Sequence, residues 1–263
     1  MQPLIDADVL VYEIGFAAET GWSSKEDRPG FPPFDYAAEL LDNRISNICA
    51  IVAATAPPIL FLTGKTNFRF DIAKRTPYKA RPSLKPWHYH NLKAYMWSKY
   101  DCRLQEGLEA DDLMAIEQTN RPNETIICTR DKDLRAVPGW HYGWELGNQP
   151  QYGPKQVDDF GSVYLSKDRK SIKGEGYLFF CAQCLVGDQV DTIPGCNGIG
   201  PVKAFQILEG SKTPNEALKR VYGAYKAVYG LSAYKELLEQ GRLLWMTRKL
   251  HPDGSPVLWG QNG

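Results

Sequence analysis

Apolar positions along the first two thirds of the chain fall into two alternating rhythms. Short apolar runs at 3–5, 59–62 and 125–128 predict buried strands, with a further short strand at 102–104. Between them, apolar residues recur every three or four positions. Ala38, Leu41, Ile45, Ile48 and Val52 mark one long amphipathic helix, opened by Asp35 and stopped by Pro57-Pro58. Helices are also expected over 9–19, 92–99 and 110–119, with Asp8 placed to cap the first. The stretch 22–34 is rich in Gly, Pro and charge and reads as a loop. The stretch 74–87 is basic, broken by Pro and aromatic, and suits a connection; 137–176 reads as loops with short strands. Beyond about Ser171 the strand rhythm gives way to helices at 177–186, 201–208, 215–229 and 233–249.

Strands alternating with helices call for an α/β fold with a mostly parallel sheet covered on both faces. The expected organisation is an α/β core over 1–170 and a helical subdomain over 171–263. Sites in such sheets lie beyond the carboxyl ends of the strands. Asp6, and the pair Asp131 and Asp133, stand just there.

Composition changes this picture little, but charge distribution changes it more. Lys plus Arg and Asp plus Glu number 31 each, so net charge names no partner. Yet 65–103 holds ten basic residues against only Asp71 and Asp101, and 106–133 is mostly acidic. A basic segment suited to phosphates thus precedes an acidic one suited to metal. The six cysteines show no disulfide framework, and Cys181-x-x-Cys184 lacks a second pair at zinc spacing, so free thiols are expected. No apolar run is long enough for a membrane span and no signal peptide is visible, which predicts a soluble, cytoplasmic protein.

The stretch 185–204, LVGDQVDTIPGCNGIGPVKA, carries the densest chemistry. Asp188 and Asp191 are spaced to converge on one cation. Gly195, Gly198 and Gly200 then form a tight turn running into a helix opened by Pro201, with Lys203 one turn in. Such turns present unpaired amides to phosphate, and Pro at the first helical position loses no hydrogen bond. Three other acidic groups join this pair: Asp6, the cluster Glu109, Asp111 and Asp112, and the pair Asp131 and Asp133. Taken singly, the cluster reads as a helix cap and Asp131-Lys-Asp133 as a turn. Taken together, carboxylates at strand ends and beside a phosphate-binding turn require cations to offset their repulsion. Oxygen ligands without histidine favour Mg2+ or Mn2+ over zinc.

In order and spacing, LIDADVLVY, LEADD, CTRDKDL and GDQVDTIPGCNGIGPVKA resemble the 5′-nuclease superfamily of flap endonucleases, bacterial polymerase I 5′-nuclease domains and phage 5′→3′ exonucleases. The opening IDAD, PGWHY at 138–142 and the compact length resemble the exonucleases of short-tailed phages most. The resemblance implies a PIN-like (resolvase-like) core with a helical arch around 70–100, then a helix–hairpin–helix turn at 192–204. It implies a two-metal site, with Asp6, Glu109, Asp111 and Asp112 around one ion and Asp131, Asp133, Asp188 and Asp191 around the other. Lys79 and Arg81 would meet the scissile phosphate, and Tyr78 a terminal base. Lys74, Arg75, Gly195, Gly198, Gly200 and Lys203 would hold DNA, with K+ at the turn.

The implied activity is hydrolysis of phosphodiesters near 5′ ends or flaps of duplex DNA, and of RNA primers in RNA–DNA hybrids, by a monomer in a phage-infected host cytoplasm. One departure stands out. Gly64 occupies the position aligned to a further metal-site Asp of the family, with Asp8 and Asp71 as candidate substitutes. A member that binds DNA structures without cutting is therefore the alternative. A PIN-type ribonuclease is a third reading, against which the glycine turn argues. Most of Trp87, Tyr95, Trp97, Trp140 and Tyr142 are expected in the core, and His88 and His90 in solvent or facing DNA.

Overall fold

The computed structural model describes residues 1–23, 30–80 and 84–261. The chain divides into two compact units. One comprises Met1–Lys65, Ser83–Asp131 and Gly139–Lys155; the other comprises Thr66–Pro82, Lys132–Pro138 and Gln156–Gly263. This interleaving, with 66–82 and 132–138 joining the later unit, is not visible in the periodicity of the sequence.

The first unit is built on a mostly parallel sheet. Strands β1 (Gln2–Asp6), β2 (Ile59–Phe61), β3 (Asp101–Arg103), β4 (Thr125–Cys128), β5 (Gly139–Gly143) and β6 (Tyr152–Val157) run in the order β3-β2-β1-β4-β5-β6. β1 lies parallel to both β2 and β4, with Ile5 opposite Leu60 and Cys128. Its helices are α1 (Ala7–Ser23), α2 (Phe34–Ile51), α4 (Tyr89–Lys99) and α5 (Ala110–Asn120). The stripe Leu41, Ile45 and Ile48 of α2 buries against Leu10, Val11 and Ile14 of α1, with Leu92 and Met96 of α4 in the same core. β1, β2 and β4 are almost wholly buried, as central parallel strands should be.

Several expectations need correction here. Asp6, not Asp8, caps α1: its Oδ1 accepts from the Val9 amide at 3.0 Å. Asp8 lies inside the helix and accepts from the Thr63 amide at 2.8 Å. A cap must precede the first helical residue, and the helix begins two positions earlier than periodicity suggested. α1 also continues to Ser23, into the expected loop, whose residues 24–29 lie outside the described residues. Of the five aromatics expected mostly in the core, Tyr142 is buried and Tyr95 and Trp140 pack against the core, whereas Trp87 and Trp97 are 59% and 48% exposed and Trp87 stacks on Phe31 at 3.9 Å. His88 is buried, its Nε2 bonded to the Pro32 carbonyl at 2.6 Å, whereas His90 is exposed.

The second unit is mainly helical. It holds α3 (Arg69–Ile72), the antiparallel pair β7 (Ser162–Leu165) and β8 (Ile172–Glu175), α6 (Gly176–Val186), α7 (Pro201–Leu208), α8 (Pro214–Tyr229) and α9 (Ala233–Leu244). Its core gathers Phe180, Cys184 and Leu185 of α6 with Ala204, Leu208, Val221, Tyr225 and Leu237. The α6 thiols of Cys181 and Cys184 are free and buried, and burial pushes the Cys181 thiol up to about 12. α9 ends at Leu244, five residues before the sequence pattern does. Buried Arg69 gives the reason, because Nε and Nη2 donate to the carbonyls of Leu243 and Trp245, each at 2.9 Å. Those carbonyls are satisfied from outside the helix, and Trp245 turns extended. Among the described residues no helix is long and apolar enough to cross a membrane.

Candidate metal and nucleic-acid sites

The parallel sheet places the acidic groups of the first unit at neighbouring strand ends. Asp6 closes β1, Thr63 follows β2, and Thr129 to Asp131 follow β4. Thr129 ties two of them together: its hydroxyl donates to Asp6 Oδ2 at 2.7 Å and accepts from the Asp131 amide at 2.9 Å. The Thr63 hydroxyl accepts from the Ala110 amide at 2.9 Å and so anchors the start of α5 to the end of β2. Glu109 and Asp112 form a reciprocal capping box at that helix start, with the Glu109 amide donating to Asp112 Oδ2 at 3.2 Å. These carboxylates are deeply buried: Asp6, Glu109 and Asp112 are 3%, 5% and 0% exposed. Carboxylates are almost never so buried without charged or metal partners. Asp111 and Asp131 are half-buried.

Gly64 has a neighbour that the sequence did not suggest. A Cβ at this position would meet the Glu106 carboxylate at 2.8 Å, and Glu106 Oε2 accepts from the Lys65 amide at 2.9 Å. Glu106 thus brings a carboxylate to the backbone position that lacks one. Asp8, one of the two candidate substitutes, is instead engaged with the Thr63 amide and, at 3.8 Å, with Lys93. Gly64→Asp is expected to drive Glu106 off the Lys65 amide and to cost about 1 kcal/mol in urea denaturation, the worth of one such hydrogen bond.

In the second unit one lysine joins Asp133 to Asp188, and the Asp191 amide also reaches Asp188. The lysine is Lys132, its Nζ lying 2.8 Å from Asp133 Oδ1 and 2.5 Å from Asp188 Oδ2. Gln183 of α6 also donates to Asp133 Oδ1, at 2.6 Å. Asp188 Oδ1 accepts from the amides of Val190 and Asp191, at 2.7 and 3.2 Å. Burial raises the Asp188 pKa, but the Lys132 hydrogen bond and charge outweigh it and hold the carboxyl below its ordinary value. For Lys132 burial opposes the charge, and Asp133 and Asp188 together push its pKa well up. Asp191 is reached from the basic segment: the Tyr78 hydroxyl donates to Oδ2 at 3.0 Å and Lys79 Nζ lies 4.0 Å from Oδ1. Lys79 itself has φ +47°, and its amide donates to the Asp191 carbonyl at 3.0 Å.

The glycine turn links α6 to α7, and its glycines do different work. Gly187 and Gly195 pack backbone against backbone; a Cβ on Gly195 would lie 2.4 Å from the Gly187 nitrogen. The Gly195 amide is used internally, donating to Gln240 Oε1 at 2.9 Å. Gly198 and Gly200 are exposed, and a Cβ on either would meet no described atom within 4 Å. The backbone is therefore open at Gly198, Gly200 and the first turn of α7, beside exposed Lys203. Arg75 holds this turn in place, donating to the Gly195 carbonyl at 3.0 Å and to Asn197 Oδ1 at 3.1 Å. Lys74 is exposed, and Arg81 lies outside the described residues, as does part of the expected arch. Tyr78 is buried with its ring edge-on to Phe70 at 5.9 Å, and the exposed ring at this place is Phe70.

Among the described residues no three Asp, Glu, His or Cys side chains close into a ready-made metal cage. Protein hydrogen bonds hold the carboxylates instead. The donor set still fits a hard divalent cation: oxygen ligands only, buried or half-buried, with Asp6, Asp133 and Asp188 oriented by Thr129, Gln183 and backbone amides.

The chain is 30% identical over 258 residues to DNA polymerase I of Chloroflexus aurantiacus, a match covering 94% of this chain and 26% of that protein. In sequence the chain resembles proteins of the 5′-nuclease superfamily. Flap endonuclease Xni of Shewanella piezotolerans is 27% identical over 159 residues, covering 59% of this chain and 55% of the relative. The chain thus spans about a quarter and about half the length of those two relatives. The flap endonuclease of bacteriophage T5, solved as a complex with DNA and metal ions, shares the fold with a TM-score of 0.51 at 14% identity. That match covers 92% of this chain and 98% of the T5 protein. No family model matches the chain. The PIN-like α/β core and the helical part that follows it match the fold of that T5 protein.

Proposed function

We propose that this protein is a divalent-metal-dependent 5′→3′ exonuclease and flap endonuclease that hydrolyses phosphodiesters near the 5′ ends of duplex DNA. The observation that carries the reading is the burial of Asp6, Glu109 and Asp112 in one unit and of Asp133 and Asp188 in the other. Asp6, Glu109, Asp111 and Asp112 would hold one Mg2+ or Mn2+, and Asp131, Asp133, Asp188 and Asp191 a second. Such ions lower the pKa of a bound water and stabilise charge on the leaving oxygen.

The chain's own residues supply the rest. Thr129 fixes the Asp6 carboxylate and Gln183 that of Asp133, so neither needs to reorganise on binding. Lys79, with Arg81, offers positive charge to the phosphate being cut. The open backbone at Gly198 and Gly200, with Lys203, grips a phosphodiester strand without reading its bases, and K+ would suit its carbonyls. RNA primers paired to DNA present the same 5′ phosphodiester and fall within the proposed substrate range. Glu106 beside Gly64 weighs against the non-cleaving alternative, because it returns a carboxylate to that strand end.

The test uses 5′- and 3′-labelled duplex and flap substrates with Mg2+, with EDTA as control. Short 5′ products that vanish with EDTA are expected. Binding without cleavage in both Mg2+ and Mn2+ would favour the alternative.

A further inference from the structure

We propose that Lys132 is a resident counter-cation of the second carboxylate set, competing with a divalent ion for Asp133 and Asp188, so that metal loading is coupled to release of the ammonium. This inference rests on the metal reading of the preceding section. Its geometry lies wholly within the second unit.

One ammonium touches both carboxylates, at 2.8 Å on Asp133 Oδ1 and 2.5 Å on Asp188 Oδ2. Asp188 Oδ1 is already taken by the amides of Val190 and Asp191, so Oδ2 is the oxygen most open to a cation, and Lys132 holds it. Asp133 Oδ1 is likewise shared between Lys132 and Gln183. Two buried carboxylates sharing a neighbour would repel, and the ammonium neutralises that repulsion within the fold. A divalent ion offers the same neutralisation with twice the charge, but it cannot share the inner lone pair of Asp188 Oδ2 with an ammonium at hydrogen-bond distance. The Lys132 side chain is 53% exposed, so it has room to swing out on its flexible stem. A lysine buried on all sides could not yield the place, and one in open solvent would not hold it.

The consequence is a reciprocal linkage. The lysine should stabilise the protein most without metal, and it should weaken metal binding at this set. The experiment follows Mn2+ binding by electron paramagnetic resonance, and thermal melting in EDTA and in saturating Mn2+. It uses the full chain as wild type, Lys132→Met, Lys132→Gln and Lys79→Met. Lys79→Met controls for general charge, since Lys79 stands 4.0 Å from Asp191.

Lys132→Met should bind one Mn2+ about tenfold more tightly and Lys79→Met about twofold at most, because the direct charge-assisted hydrogen bond exceeds the looser ion pair. Lys132→Met should also melt below wild type in EDTA, with the gap closing in Mn2+. If Lys132→Met is too unstable to study, Lys132→Gln keeps a donor without the charge and should show the same tightening. Unchanged Mn2+ affinity in both Lys132 variants, equal tightening in Lys79→Met, or a melting gap that persists in Mn2+ would each overturn the proposal. A wild type that binds no Mn2+ at all would instead overturn the metal reading on which it rests.

Discussion

Asp112→Asn should leave the protein folded and able to bind flapped duplex, while lowering Mg2+-dependent cleavage by about a thousandfold. Asn keeps the volume and the oxygen that accepts from the Glu109 amide, so the capping box at the start of α5 loses little. What it removes is a negative charge on a side chain with no solvent exposure. If that charge serves to hold a metal, its loss removes much of the several kcal/mol of transition-state stabilisation a bound ion supplies, and ~4 kcal/mol corresponds to a factor of about a thousand. If the carboxylate serves only as a cap, the rate should change by less than about threefold, in line with a cap's effect on stability rather than on chemistry. Single-turnover cleavage of a 5′-labelled flap, with melting temperature and duplex affinity measured on the same preparation, separates the two.

Arg69→Met should lower the stability of the second unit by about 3–5 kcal/mol, since two hydrogen bonds from a charged donor are lost and two carbonyls are left wanting. The guanidinium is fully buried and closes α9 by donating to the carbonyls of Leu243 and Trp245. Met fills most of the aliphatic volume, so the loss reports on the polar contacts more than on a cavity. Urea denaturation should show a lower midpoint with an unchanged slope. A midpoint within experimental error of wild type would mean that the helix end is satisfied by other means.

The elements themselves are largely legible in the order of residues along the chain. β4 and α7 have the bounds that apolar runs and Pro201 imply, and the α2 stripe faces the core as its spacing requires. Differences sit at element ends. Periodicity is silent about ends, because a helix stops where its last carbonyls find other donors. For α9 that donor is 174 residues away in the chain. The carboxylates are legible as candidates, since acidic residues at the ends of apolar runs have few structural reasons to be there. Their partners are not. Thr129, Gln183 and Glu106 carry no local signal, and Lys132 is a surface residue by any sequence measure.

By itself the sequence determined the strands β1, β2 and β4 and the longer helices, which acidic residues stand at strand ends, and where the glycine turn lies, but not α3 or the separate strands β5 to β8. Those features follow from spacing along a few neighbouring residues, and spacing is written in the chain. Only the tertiary structure decided that Lys132 joins Asp133 to Asp188 across 56 residues, that Glu106 fills the space over Gly64, and that Arg75 braces the glycine turn from 120 residues away. A long charged side chain has many possible partners in an unfolded chain. Packing selects one of them by bringing distant segments of the chain side by side, so that the partner is held within reach.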